Sequence, residues 1–284
     1  SKFRYPGMVA IFIGGVFLAG FRLWENPRRG WTAYLLPILM LVGMFWTLDL
    51  FRNELIQAWR IDTHPGFGPR RDADDQVHYG TCDVSIPPTH VIGAVERPVL
   101  GPEDESVHVV LQRTSDLSQH DFYQALKSKI DNLPATDRTC FVFVHGFNVG
   151  FADAARRTAQ IHHDLDFPGI PIFFSWPSRA SVRHYFSDRN EIVYSRFVIQ
   201  QFLSDLVDRL DADRIHVIAH SMGADATCQA IAGLGDRGRI FDHVVLAAPD
   251  IDRNVFRRQL APSLINAANR TTLYCSRTDF ALMA

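Results

Sequence analysis

Ser221 is the residue of this 284-residue sequence best placed for covalent chemistry. It follows the largely β-branched run Ile215-His216-Val217-Ile218-Ala219 and precedes a helical stretch, Ala224 to Ile231. A serine between small residues at a strand-to-helix turn is a nucleophile elbow: the tight turn holds the hydroxyl above the sheet, and small flanks let the backbone cross. The usual pattern is G-x-S-x-G, and here it reads Ala219-His220-Ser221-Met222-Gly223. A serine hydroxyl is a weak nucleophile until a base, usually a His oriented by a carboxylate, takes its proton. The acyl intermediate also needs N–H groups aimed at the developing oxyanion. Met222, the residue after the nucleophile, offers one. Phe147 offers the second, in His145-Gly146-Phe147-Asn148 directly after the strand ending at Val144, where Gly146 lets the loop turn closely. His145 reads as a residue that shapes this loop, and His220 as packing or a pocket wall.

These residues need a sheet to hold them. Thr139–Val144, Ile170–Trp176, Ile215–Ala219, Val244–Ala248 and Thr271–Cys275 read as buried strands. Helical stretches at 152–165, 191–210, 224–231 and 255–265 alternate with them. In the longest, Val193, Phe197, Ile199, Phe202 and Leu206 are the apolar positions. Upstream, Val107–Leu111 is a strand candidate, and 121–133 is a helix with Phe122, Leu126, Ile130 and Leu133 on one face. Alternating strands and helices with apolar strands predict a mostly parallel sheet covered by helices on both faces.

The N-terminal part differs. Tyr5–Phe21 and Gly30–Leu48 carry no charged side chain, and each approaches the ~20 apolar residues that cross a bilayer as a helix. Trp24 and Trp31 edge the polar turn between them, as aromatic residues do at a membrane interface. The expectation is a transmembrane helical hairpin over 1–52 and a linker over 53–77, rich in Pro, Gly and charge. A hydrolase domain follows over 78–284. Arginines on both sides of the hairpin leave its orientation open, in what reads as a bacterial inner-membrane protein. The net charge of -2 offers no basic field for nucleic acid. The four cysteines form no metal or CxxC spacing, and Cys140, Cys228 and Cys275 fall in stretches read as buried. With no phosphate loop and no dinucleotide glycine pattern either, no cofactor and no metal are expected.

Four blocks carry a resemblance: Val142–Asn148, Phe174-Ser175-Trp176-Pro177-Ser178, Ile218–Gly223 and Ala247-Ala248-Pro249-Asp250-Ile251-Asp252. In order and spacing they resemble the α/β-hydrolase superfamily, and within it a bacterial esterase/lipase-like family of largely undefined substrate. The resemblance spans roughly residues 78 to 284. It implies an α/β-hydrolase fold, Ser221 as nucleophile, and an acid carboxylate after a later strand. Asp279 is favoured for the acid, just past the strand 271–275. Asp250 and Asp252, after the preceding strand, are the alternatives, with helix capping as a competing role for that pair. In this fold the His comes last. His243 would lie at the wrong end of its strand, and His162, His163 and His184 read as surface or packing residues. The base is therefore expected beyond residue 284, on a final strand and helix, unless the enzyme is incomplete. The expected activity is hydrolysis of a carboxylic ester, small or lipid-like, through a Ser221 acyl-enzyme. The alternative is a hydrolase fold serving as a membrane-tethered binding or scaffold module.

Overall fold

The computed structural model describes residues 67, 77–98, 101–180, 184–210 and 212–275. The hairpin over 1–52, nearly all of the linker and Asp279 lie outside the described residues. Among the described residues, no helix is long and apolar enough to cross a membrane.

Five parallel strands form the main sheet, in the order β4-β3-β5-β6-β7. They are β3 (Thr139–Val144), β4 (Ile170–Phe174), β5 (Arg214–His220), β6 (Phe241–Ala247) and β7 (Ala268–Tyr274). All six residues of β3 are buried, as a strand covered on both faces requires. The helices are α1 (Gln119–Asp131), α2 (Phe151–Asp164), α3 (Tyr185–Arg209) and α4 (Met222–Gly233). One face of the sheet, with Cys140, Val142, Val144, Ile172 and Phe174, packs against Leu126 and Ile130 of α1, Ile199 and Leu203 of α3 and Ala226 and Ile231 of α4. Phe173 points the other way, into a smaller cluster with Leu111, Ala152 and Ala155 under α2. Alternation along β4 therefore sorts its side chains between two helical layers.

After β6 the chain runs through a short helix α5 (Arg253–Val255), a π-helical turn Phe256–Leu260 and α6 (Ala261–Ala267). Pro262 explains the wide turn: it cannot donate to the carbonyl four residues back, and the Ala261 N–H reaches Phe256 O instead.

Some sequence expectations are corrected. The strand expected at 107–111 is β2 (Val110–Leu117), paired antiparallel with β1 (Tyr79–Ser85) in a separate two-stranded sheet. Beyond Leu111 the strand, Gln112 to Leu117, is mostly polar and largely exposed, so no apolar run marked it. Helix α3 begins at Tyr185, a turn and a half before the expected start. Val193 and Phe197 are exposed on it at 44% and 56%, and Ile192, Ser195 and Leu203 face inward instead. Cys140 and Cys228 are buried and free, but Cys275 is exposed, because β7 is the outer strand of the described sheet.

Candidate active site

Parallel register sets up the site. Val144 pairs with Ala219, so the next residues of the two chains, His145–Gly146 and His220–Ser221, leave the sheet side by side. His220 pairs with Ala247 and Ala247 with Tyr274, which brings the segments after β6 and β7 to the same edge. In an open parallel sheet this carboxyl edge is where sites form.

Ser221 has φ 50° and ψ -122°, a conformation an L side chain rarely adopts. It is the hinge between β5 and α4 and is pinned through its main chain. Its N–H donates to Ala247 O at 2.9 Å, and its carbonyl accepts from Ala224 N at 3.0 Å and Asp250 N at 3.2 Å. Met222 is fully buried as the first residue of α4, so its N–H belongs to the set that has no partner within a helix. A Cβ on Gly146 would stand 2.9 Å from Ser221 Cβ and 2.6 Å from His220 Nδ1. The Gly146–Phe147 loop thus passes against the elbow at a spacing that only glycine permits. The structure brings Ser221, Met222 and this loop together.

His145 is the keystone of that loop. It is fully buried, and its ring stacks on Trp176 with centroids 5.0 Å apart. The Trp176 N–H donates to its Nε2 at 3.1 Å, so the ring proton sits on Nδ1, which donates to Gly146 O at 2.9 Å. Trp176 Nε1–H also donates to His145 O at 2.7 Å. Burial pushes the imidazole down to about 4. An unfolded His145 takes up its proton near 6.5. The native state therefore loses up to about 3 kcal/mol relative to the unfolded chain as pH falls from the unfolded value through the folded one. Nitrogen chemical shifts should find this ring neutral at pH ~5 with its proton on Nδ1, as the depressed value requires. A charged ring there would contradict the assignment. His145 therefore shapes the loop and is not a free base.

Three other histidines are committed elsewhere. His243 lies within β6, opposite His216 and roughly 16 Å along the sheet from Ser221. Its Nε2 meets Thr272 Oγ1 at 2.8 Å. His162 reaches Gly169 O, and His90 lies between Glu96 at 2.9 Å and Asp164 at 2.7 Å. His184 sits at the N-terminus of α3 with its Nδ1 buried and without a hydrogen-bond partner.

The two described acid candidates separate. Asp252 caps the next helix, with its Oδ1 accepting from Asn254 N at 2.8 Å and Val255 N at 2.9 Å. Asp250 is held by Tyr185, whose hydroxyl donates to Oδ2 at 2.7 Å, and by Arg189 Nη1 at 3.0 Å. Neither Tyr185 nor Arg189 stands out in the sequence; their one signal is the i,i+4 spacing that puts both on one face of a helix. Asp188, fully buried between them, accepts from Ser178 Oγ at 2.7 Å and Arg179 N at 3.2 Å, fixing the loop after β4. Among the described residues, no group of three His, Cys, Asp or Glu could hold a metal ion.

A five-stranded parallel sheet flanked by helices, with a strained serine at the strand-to-helix turn, defines an α/β hydrolase. The chain belongs to the family described as alpha/beta hydrolase of unknown function (DUF900), which matches residues 118–284. Among curated proteins it is 39% identical over 61 residues to the uncharacterized protein alr1448 of Nostoc sp., covering 22% of this chain and 16% of that one. It is 33% identical over 115 residues to a nucleotide-binding protein of Corynebacterium glutamicum, covering 40% of this chain and 35% of that one. The chain thus spans only a minor part of either relative. Of solved structures, it is similar to a Trichoderma reesei cutinase in complex with a phosphonate inhibitor. That similarity has 15% identity and a TM-score of 0.34, over 59% of this chain and 80% of the cutinase.

Proposed function

We propose that the domain is a serine hydrolase of carboxylic esters, small or lipid-like, tethered to a membrane by the apolar runs within residues 1–52. The observation that carries the reading is Ser221 in its strained elbow against the Gly146–Phe147 loop. Ser221 Oγ attacks the ester carbonyl, and the N–H groups of Met222 and Phe147 stabilise the resulting oxyanion. The alcohol leaves, and water hydrolyses the acyl-enzyme. Asp279 is the proposed acid, since Asp252 is spent on capping and the Asp250 carboxylate on Tyr185 and Arg189. With His145, His90, His162 and His243 engaged elsewhere, the base is proposed to come from a segment outside the described residues.

A fluorophosphonate probe tests this on the full-length protein in its membrane. The wild type should be labelled, and labelled protein should sediment with membranes and be released by detergent. Labelling should vanish in Ser221→Ala. An unlabelled wild type would favour the binding-module alternative, and labelled protein that stays in solution without detergent would remove the tether.

A further inference from the structure

The Asp250 carboxylate is removed from the reaction in the reading above, yet it sits one hydrogen bond from the elbow. Its own N–H donates to Ser221 O at 3.2 Å. Its Oδ2 accepts from both Tyr185 and Arg189, and Arg189 Nη1 also reaches the Asp250 carbonyl at 3.4 Å. Arg189 Nη2 lies 3.6 Å from Asp225 Oδ2 in the first turn of α4, and Gln229 Nε2 donates to the other oxygen of Asp225 at 2.8 Å. The ring of Tyr185 meets Phe147 edge-on, with centroids 5.2 Å apart and planes at 78°. One turn of α3 thus touches the loop after β3, the loop after β6 and the start of α4.

We propose that Tyr185, Arg189 and Asp250 form a brace that positions the Phe147 and Met222 amides over Ser221. The inference rests on the serine hydrolase reading for its catalytic consequence, but not for its geometry. The three residues are positioning residues, acting through the backbone they hold. An oxyanion hole works only when its donors are fixed before charge develops. The Gly146–Phe147 loop has no regular secondary structure of its own, so its position depends on such outside contacts. Tyr185 supplies two of them at once, a ring against Phe147 and a hydroxyl on Asp250. Arg189 holds the Asp250 carboxylate in its place and links it to the helix that presents Met222.

The test combines two readouts on the full chain. Hydrogen exchange of peptides covering 145–150 and 247–252 should quicken by about tenfold or more in Tyr185→Ala, and less in Tyr185→Phe, which keeps the ring. The β5 core at 215–219 should not change. Fluorophosphonate labelling should lose about ten- to a hundredfold in its maximal rate in Tyr185→Phe and Asp250→Asn. The probe concentration giving half that rate should not move. A double variant should lose little more than either single one. Unchanged exchange in both Tyr185→Ala and Asp250→Asn would overturn the brace. So would a fall near 10⁴-fold in Asp250→Asn alone, the scale on which a triad acid acts. If the wild type takes no label, the serine hydrolase reading fails, while exchange still decides the brace.

Discussion

Replacing Ser221 by glycine should abolish turnover and at the same time make the protein more stable. On the proposed function, the loss of activity follows from the loss of the Ser221 hydroxyl, on the order of 10⁴- to 10⁶-fold in hydrolysis. The gain follows from the backbone. At φ 50° and ψ -122°, Ser221 occupies the mirror image of an ordinary extended conformation. An L residue there costs of order 1–3 kcal/mol, and glycine adopts it freely. Glycine's greater freedom in the unfolded chain offsets part of that relief, so the net gain should be about 1 kcal/mol, or roughly 2–4 °C in Tm for a domain of this size. Ser221→Ala is the control: it removes the same hydroxyl and keeps the strain, so its Tm should stay near the wild type. Calorimetry of the two variants settles the matter. If glycine melts no higher than alanine, the elbow stores no strain and its geometry has another origin.

The tight crossing explains why the site was legible in sequence at all. The elbow crosses the end of β3 closely, so Gly223 leaves room for the His145 carbonyl, and the small Ala219 stands on the other side of Ser221. The inner strands of the main sheet were legible because burial leaves an apolar run. Thr139–Val144 is the clearest case, with its expected and observed bounds identical. β1 was not, because Tyr79-Gly80-Thr81-Cys82-Asp83-Val84-Ser85 is half exposed and carries few apolar residues. The start of α3 was missed for a related reason. Tyr185 and Asp188 serve the loops at the sheet edge and Phe186 is exposed, so the first turn shows little helical periodicity.

Asp250 and Asp252 show a different limit. In sequence they are one motif with two equivalent carboxylates. In the fold one faces the free amides of a helix, and the other faces the first turn of α3. That division depends on how α3 lies across the loop after β6, which local pattern does not encode. His145 is the contrasting case. Its position after a strand suits a catalytic base, the His-Gly pair already reads as loop-shaping, and its two main-chain partners and complete burial supply the reason.

Two glycines that touch the same crossing should fail in different ways when changed to alanine. A Cβ on Gly223 would overlap the carbonyl oxygen of His145, and would stand 3.0 Å from His145 C and 3.1 Å from Val144 O. All of these atoms are main chain at the end of β3, so neither side can yield without moving the strand or α4. Gly223→Ala should cost about 3 kcal/mol or more, the upper range for forcing atoms into a packed core, and lower Tm by roughly 6–12 °C. On Gly146 the added Cβ meets His220 Nδ1 at 2.6 Å, on a ring that can turn, but also the His220 carbonyl oxygen at 3.0 Å and Ser221 Cβ at 2.9 Å, which cannot move without carrying the hydroxyl. Gly146→Ala should therefore cost less, about 1–2 kcal/mol, yet lose about a hundredfold in fluorophosphonate labelling, the scale expected when a reacting atom is displaced by about 1 Å. Thermal melts and labelling rates of the two variants separate the roles. A Gly146→Ala protein that labels at the wild-type rate would mean that the loop does not bear on the nucleophile, and Phe147 would lose its place as an oxyanion donor.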